Sequence, residues 1–131
     1  MSKTTNKQKH NYVYLIRERE FIKCNEPVYK LGKTTQLPNT RLAGYPKNSE
    51  VLLFIDVFDC HFTEKELIKQ FDQLFICRKD IGREYYEGDL NHMKRTFFNV
   101  IGKEFEEAYI LTNDDGYTWR ILSSVKNYLF W

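Results

Sequence analysis

Apolar residues fall in short runs separated by charged turns, and each run has its own period. Asn11 to Ile16, NYVYLI, is dense in aromatic and β-branched residues and predicts a strand. The charged REREFIKCNEP segment predicts a hairpin connection into a second strand at Val28 to Leu31, antiparallel to the first. Gly32 ends that strand, Pro38 suits the first turn of a short helix, and Gly44 and Pro46 mark its end. Val51 to Phe58, VLLFIDVF, is apolar on both alternations apart from Asp56, the pattern of a central strand covered on both faces. Thr63 and Glu66 have the spacing of a capping box, which predicts a helix start at Thr63. Leu67, Ile68, Phe71, Leu74 and Phe75 then follow at the spacing of one buried helical face. CRKDIGREYYEGD encloses a short aromatic segment between turn signals. Asp89 caps a further helix carrying Leu90, Met93, Phe97 and Ile101, with Gly102 placed to end it. Two apolar stretches around Asn113 to Gly116 predict a terminal hairpin and an aromatic tail.

The class these elements predict is α+β, a small three-stranded antiparallel sheet flanked by helices with a C-terminal extension. With 131 residues, 42% of them hydrophobic, the chain can fill one core, which predicts a single domain. Its expected parts are a flexible basic arm over residues 1–10, the domain over 11–102, and an extension over 103–131 packed on the domain. No apolar run approaches the ~20 residues of a membrane span and no secretory block opens the chain, so an intracellular protein with no membrane partner is expected. Three cysteines, Cys24, Cys60 and Cys77, lack C-x-x-C spacing and predict reduced, mostly buried thiols.

The net charge of +2 conceals an asymmetry, since residues 1 to 50 hold ten Lys or Arg against four acids and the remainder ten against fourteen. A polyanion near the first strands suits that polarity. The stretch VYKLGKTTQLPNTR, Val28 to Arg41, concentrates the cations. Lys30, Lys33 and Arg41 either converge on an anion such as phosphate or stand as solvated charges on a strand, turn and helix. Glu64 precedes Leu67, Ile68 and Phe71 by three, four and seven residues and therefore points inward, whereas the cap accounts for Glu66. An inward carboxylate needs a partner, a metal or the helix N-terminus. His10 and His61 stand apart from any ligand cluster, and His92 reads as solvated or capping.

These pieces resemble the GIY-YIG nuclease superfamily, in particular its phage and large-DNA-virus branch of DNA-binding domains, from about Tyr12 to Asp89. The family's two short strand motifs are matched by Tyr12-Val13-Tyr14 and Lys30-Leu31-Gly32. Its following lysine and helical arginine are matched by Lys33 and Arg41, and its metal-ligating glutamate by Glu64, at the head of Glu64-Lys65-Glu66-Leu67-Ile68-Lys69. Gly82 to Tyr86 resembles the glutamate-aromatic signature of the viral branch. The chain departs from the pattern at Tyr12, where the family has glycine, and at Lys30, where it has tyrosine. Tyr29 lies one residue away on the opposite strand face. The family's late asparagine has no match.

The resemblance implies a metal-dependent endonuclease acting on DNA, inside the host cell if the protein is viral. Tyr14, Lys30, Arg41 and Glu64 would form the catalytic set, and Lys30, Lys33 and Arg41 would contact nucleic acid. Tyr14, with an ordinary pKa near ~10, would serve as base only where cations favour its phenolate. Arg41 would grip the scissile phosphate, and Glu64 would hold one Mg²⁺ or another divalent cation at the leaving oxygen. Glu84 would ligate the ion or, in the preferred reading, pair with a cation. Tyr29, Tyr85 and Tyr86 read as packing or base-stacking residues. The site requires Tyr14, Arg41 and Glu64 to line one concave surface. The rivals are a DNA-binding module that has lost cleavage and a protein-interaction domain with an aromatic C-terminal surface.

Overall fold

A computed structural model describes residues 10–111, with side chains described for residues 10–103. The predicted arm up to residue 9 and the predicted terminal hairpin and tail lie outside the described residues. The elements in chain order are β1 (Tyr12–Arg17), α1 (Arg19–Lys23), β2 (Val28–Thr34), α2 (Pro38–Leu42), β3 (Glu50–Asp56), α3 (Cys60–Leu74), β4 (Ile76–Cys77), β5 (Tyr85–Glu87) and α4 (Leu90–Leu111). The class is α+β, as predicted, but the sheet has five strands rather than three, in the order β3-β1-β2-β5-β4 with every pair antiparallel. The two additional strands are three residues long or fewer, too short to show an alternation, and they lie in the turn-rich stretch before Asp89.

β1 and β2 pair antiparallel, as expected, with Tyr14 opposite Gly32 and Leu15 opposite Leu31. The connection between them contains the one-turn helix α1 and reverses at Asn25, whose φ of 57° lies in the left-handed region that asparagine tolerates. β1, buried along its middle, is the central strand of the original three. Val51 to Phe58, predicted to be central, instead supplies the edge strand β3. Its second apolar face is explained by rings: Phe54 stacks on Tyr14 at 5.2 Å and tilts against Tyr12 at 5.1 Å.

One sheet face carries Val13, Leu15, Tyr29, Leu31, Ile55 and Tyr86, and against it lie Leu67 and Phe71 of α3 and Met93, Phe97 and Ile101 of α4. Each of these apolar side chains contributes roughly 1.5–3 kcal/mol by leaving water. Leu74, expected on this face, lies at the end of α3 and is exposed. The cap of α3 is Asp59, which accepts from the amides of His61 and Phe62 at 3.0 and 3.3 Å, while Asn11 Oδ1 takes the Cys60 amide at 2.9 Å. The helix therefore begins one turn before Thr63, whose own amide already bonds the Asp59 carbonyl at 3.0 Å. Asp89 caps α4 as expected, its Oδ2 accepting from His92 N at 2.8 Å. Gly102 does not end that helix, which continues to Leu111. An interior glycine costs only about 1 kcal/mol relative to alanine, and good helix formers follow it. The cysteines are free, with Cys60 buried, Cys77 half-buried and Cys24 exposed, so only one of the three is the buried thiol expected.

Candidate functional site

The pleat sorts the candidate residues. Tyr14, Lys30 and Gly32 point to one face of the sheet, and Leu15, Tyr29, Leu31 and Lys33 to the face covered by α3 and α4. On the first face the Tyr14 ring lies across Gly32, where a Cβ would collide with its ring carbons and hydroxyl. This is the close approach that glycine permits. α2, opened by Pro38, brings Arg41 over the same ring. Arg41 Nε donates to Tyr14 Oη at 3.0 Å and Nη2 donates to Tyr45 Oη at 3.1 Å, while the two phenol oxygens are 2.8 Å apart. A guanidinium and two hydroxyls thus close a triangle. Lys30 stands beside it, its ammonium 5.3 Å from the centre of the Tyr45 ring and 5.5 Å from that of Tyr85. The Tyr85 hydroxyl in turn donates to Glu18 at 2.8 Å.

On the helix-covered face Glu64 is buried, as its spacing predicted, and Lys33 Nζ lies 3.1 Å from its Oε1. Because the cap is Asp59, Glu64 lies beyond the first turn of α3, where the helix dipole has faded. The ion pair with Lys33, not the helix terminus, supplies the compensating charge. Glu84, just before β5, hydrogen-bonds Glu64, and burial first, then the Glu64 charge and this bond, raise its pKa against the weaker opposing pull of Lys30 and Lys33. Glu84 thus stands against Glu64 in one hollow, a juxtaposition the sequence did not suggest.

A hollow of about 820 Å³ is lined by Lys30, Glu64, Glu84 and Tyr85 among others. Tyr14 and Arg41 are not in its wall. The structure brings Tyr14 and Arg41 into direct contact on one sheet face and pairs Lys33 with Glu64 on the other, with Lys30 beside Tyr45 and also in the wall of the hollow, so the single concave surface expected of Tyr14, Arg41 and Glu64 is not formed. The physical reason is the strand alternation. β5 follows β2 only as far as Lys30 opposite Tyr85, so the Gly32 end of β2 has no strand on that side.

The phenolate condition placed on Tyr14 is not met. Burial, then the hydrogen bond and charge of Tyr45, push its pKa well above the ordinary tyrosine value and outweigh the lowering by Arg41. Tyr14 is a neutral phenol across the physiological range. Tyr45, absent from the predicted set, is also raised, chiefly by burial. It lies just past the end of α2, between Gly44 and Pro46, and no local pattern in the sequence marked it as a partner of Arg41 and Tyr14. Tyr29 and Tyr86 are buried packing residues, and the Tyr86 hydroxyl donates to Asp72 at 2.7 Å.

No family model matches the chain, and neither a curated protein nor a solved structure does. No helix among the described residues is long and apolar enough to cross a membrane.

Proposed function

We propose that this chain is a metal-dependent endonuclease that hydrolyses DNA phosphodiester bonds inside the cell. The observation that carries the reading is the Tyr14–Arg41–Tyr45 triangle with Lys30 beside it, the same Lys30 that lines the hollow holding the buried Glu64. Arg41 spends two of its N–H groups on the phenols and keeps the others for phosphate oxygens, with Lys30 adding charge on the same side. Two neighbouring carboxyls in one hollow are hard oxygen donors whose mutual repulsion a divalent cation relieves, so Glu64 and Glu84 fit Mg²⁺. Among the described residues no group of three or more His, Cys, Asp and Glu is arranged to hold a metal ion, so these two would be its protein ligands, with water completing the shell. Bound there, Mg²⁺ would supply charge stabilisation to the leaving oxygen. Lys33 must then release Glu64, and its freed ammonium becomes available to a phosphate.

The test is nicking of supercoiled plasmid with Mg²⁺ by the wild type, Glu64→Gln and Arg41→Ala. The expected result is cleavage by the wild type, none by Glu64→Gln with DNA binding retained, and loss of both in Arg41→Ala. Cleavage by Glu64→Gln overturns the role of Glu64.

A second reading, a DNA-binding module without cleavage, is favoured by the neutral Tyr14 phenol and by the Lys33 ammonium seated on Glu64. Salt-dependent retention on DNA without nicking selects it.

A further inference from the structure

The sheet face turned away from α3 and α4 carries a row of rings that starts at the Arg41 triangle and runs outward from it. Tyr12 and Tyr14 sit two residues apart on β1 and point to that face, and the register sets Phe54 opposite Tyr14 and Asp56 opposite Tyr12. Phe54 stacks on Tyr14 at 5.2 Å and within 5° of parallel, Tyr12 tilts against Phe54 at 5.1 Å, and the His10 ring lies parallel to that of Tyr12 at 6.3 Å. Tyr14 is enclosed, whereas Phe54, Tyr12 and His10 are each only half-buried. Tyr12 is also a residue at which the chain departs from the GIY-YIG pattern, so its ring is a property of this chain. Charge changes sign along the row. Arg41 lies over the Tyr14 ring at 5.7 Å and Lys30 stands beside Tyr45, but the far end is bounded by the exposed carboxylate of Asp56. A phosphate is favoured at the first end and repelled at the second, where a carboxylate suits the amino hydrogens of a base edge.

We propose that Tyr12 is a stacking platform for an unpaired DNA base next to a phosphate held by Arg41, and that the substrate class of the site is therefore single-stranded DNA. This rests on the nucleic-acid reading above and adds a residue outside the predicted catalytic and binding sets. Every base has a π-face, so an accessible ring beside a cation holds a single strand without reading its sequence. In an intact duplex the neighbouring pairs cover both faces of each base, and the platform has nothing to stack on. Phe54, itself stacked on Tyr14, backs the Tyr12 ring from the side of the triangle and fixes its tilt. The cations and the rings thus divide one nucleotide between them, backbone at Arg41 and base at Tyr12.

The experiment measures fluorescence anisotropy of a labelled mixed-sequence single strand and of a duplex of equal length, for the wild type, Tyr12→Leu and Tyr12→Phe. Leucine keeps an apolar side chain and loses the ring, and phenylalanine keeps the ring and loses the hydroxyl. The wild type is expected to bind the single strand more tightly than the duplex. Tyr12→Leu should weaken single-strand binding roughly ten-fold, the size of one lost base stack, with an unchanged salt slope because no charge is removed and with duplex binding unaltered. Tyr12→Phe should bind like the wild type. A second measurement needs no variant: irradiating the wild type with a single strand carrying 5-iodouracil should attach it to Tyr12, Phe54 or His10, located by mass spectrometry. The assignment is overturned by a wild type that binds duplex as tightly as single strand, by Tyr12→Leu binding single strand like the wild type, by Tyr12→Phe impaired as much as Tyr12→Leu, or by crosslinks confined to other residues. Each of these leaves the nucleic-acid reading standing. A wild type that binds neither DNA removes both.

Discussion

Lys33 reaches from β2 to set its ammonium 3.1 Å from the Glu64 carboxylate, one partner a third exposed and the other almost fully enclosed. Lys33→Met leaves the enclosed charge without its counterion. A fully buried pair broken this way loses about 3–5 kcal/mol, and the water that reaches Lys33 reduces the expected loss to roughly 1–2 kcal/mol. Urea denaturation measures it. Combining Lys33→Met with Glu64→Gln should recover most of the loss, and a strictly additive double mutant would show that the two do not interact.

Gly32→Ala is expected to disturb the fold and the site together. The added methyl falls on the Tyr14 ring, which cannot retreat because it stacks on Phe54. Overpacking of this kind costs about 1–3 kcal/mol. Thermal denaturation should show the loss, and under the proposed function DNA affinity should fall as Tyr14 leaves Arg41.

Glu84 sets the direction of a pH dependence. Its pKa in the folded protein is raised, by burial before the Glu64 charge, so the native state holds a proton that the unfolded chain has already released. Between the ordinary glutamate value and the raised one, the native state binds more protons and stability falls as pH rises. Glu84→Gln keeps a hydrogen-bond donor and discards the charge. Its denaturation midpoint should exceed that of the wild type at neutral pH, and the gain should vanish on acidification below the ordinary glutamate range. A gain that persists in acid would assign the effect to packing.

Asp59→Ala removes the side chain that holds the first amides of α3 and should cost about 1 kcal/mol in chemical denaturation, whereas Asp59→Asn should cost little. Because α3 carries Glu64, fraying at its start should also lower plasmid nicking by Asp59→Ala if the proposed nuclease function holds.

What could be read in advance was whatever repeats. Met93, Phe97 and Ile101 announced the buried side of α4, and the distances from Glu64 to Leu67, Ile68 and Phe71 placed its carboxylate inside while leaving Glu66 to other work. The β1–β2 hairpin was likewise legible from its aromatic and β-branched runs. Partnership was harder to see. The start of α3 was placed at Thr63 by its capping-box spacing, yet Asp59 is also a good cap residue, and its bonds to the His61 and Phe62 amides, with Asn11 holding Cys60, set the start one turn earlier. The apolar double face of β3 looked like burial between layers, yet Phe54 is covered by neighbouring rings at an edge. Tyr45 and Glu84 gained their roles from partners 31 and 20 positions away, Tyr14 and Glu64, and no local period encodes such pairings.

The register between β2 and β5 spans only Val28, Tyr29 and Lys30. That brief seam, extended by bonds from Leu31 N to Glu84 O at 2.9 Å and from Gly88 N to Pro27 O at 3.1 Å, fastens the ribbon bearing Glu84 to the strands bearing Tyr14 and sets the spacing between the Arg41 triangle and the carboxyl pair. A single proline at position 29 would remove one donor from that seam and loosen the two groups from each other while leaving Arg41, Tyr45, Glu64 and Glu84 unaltered.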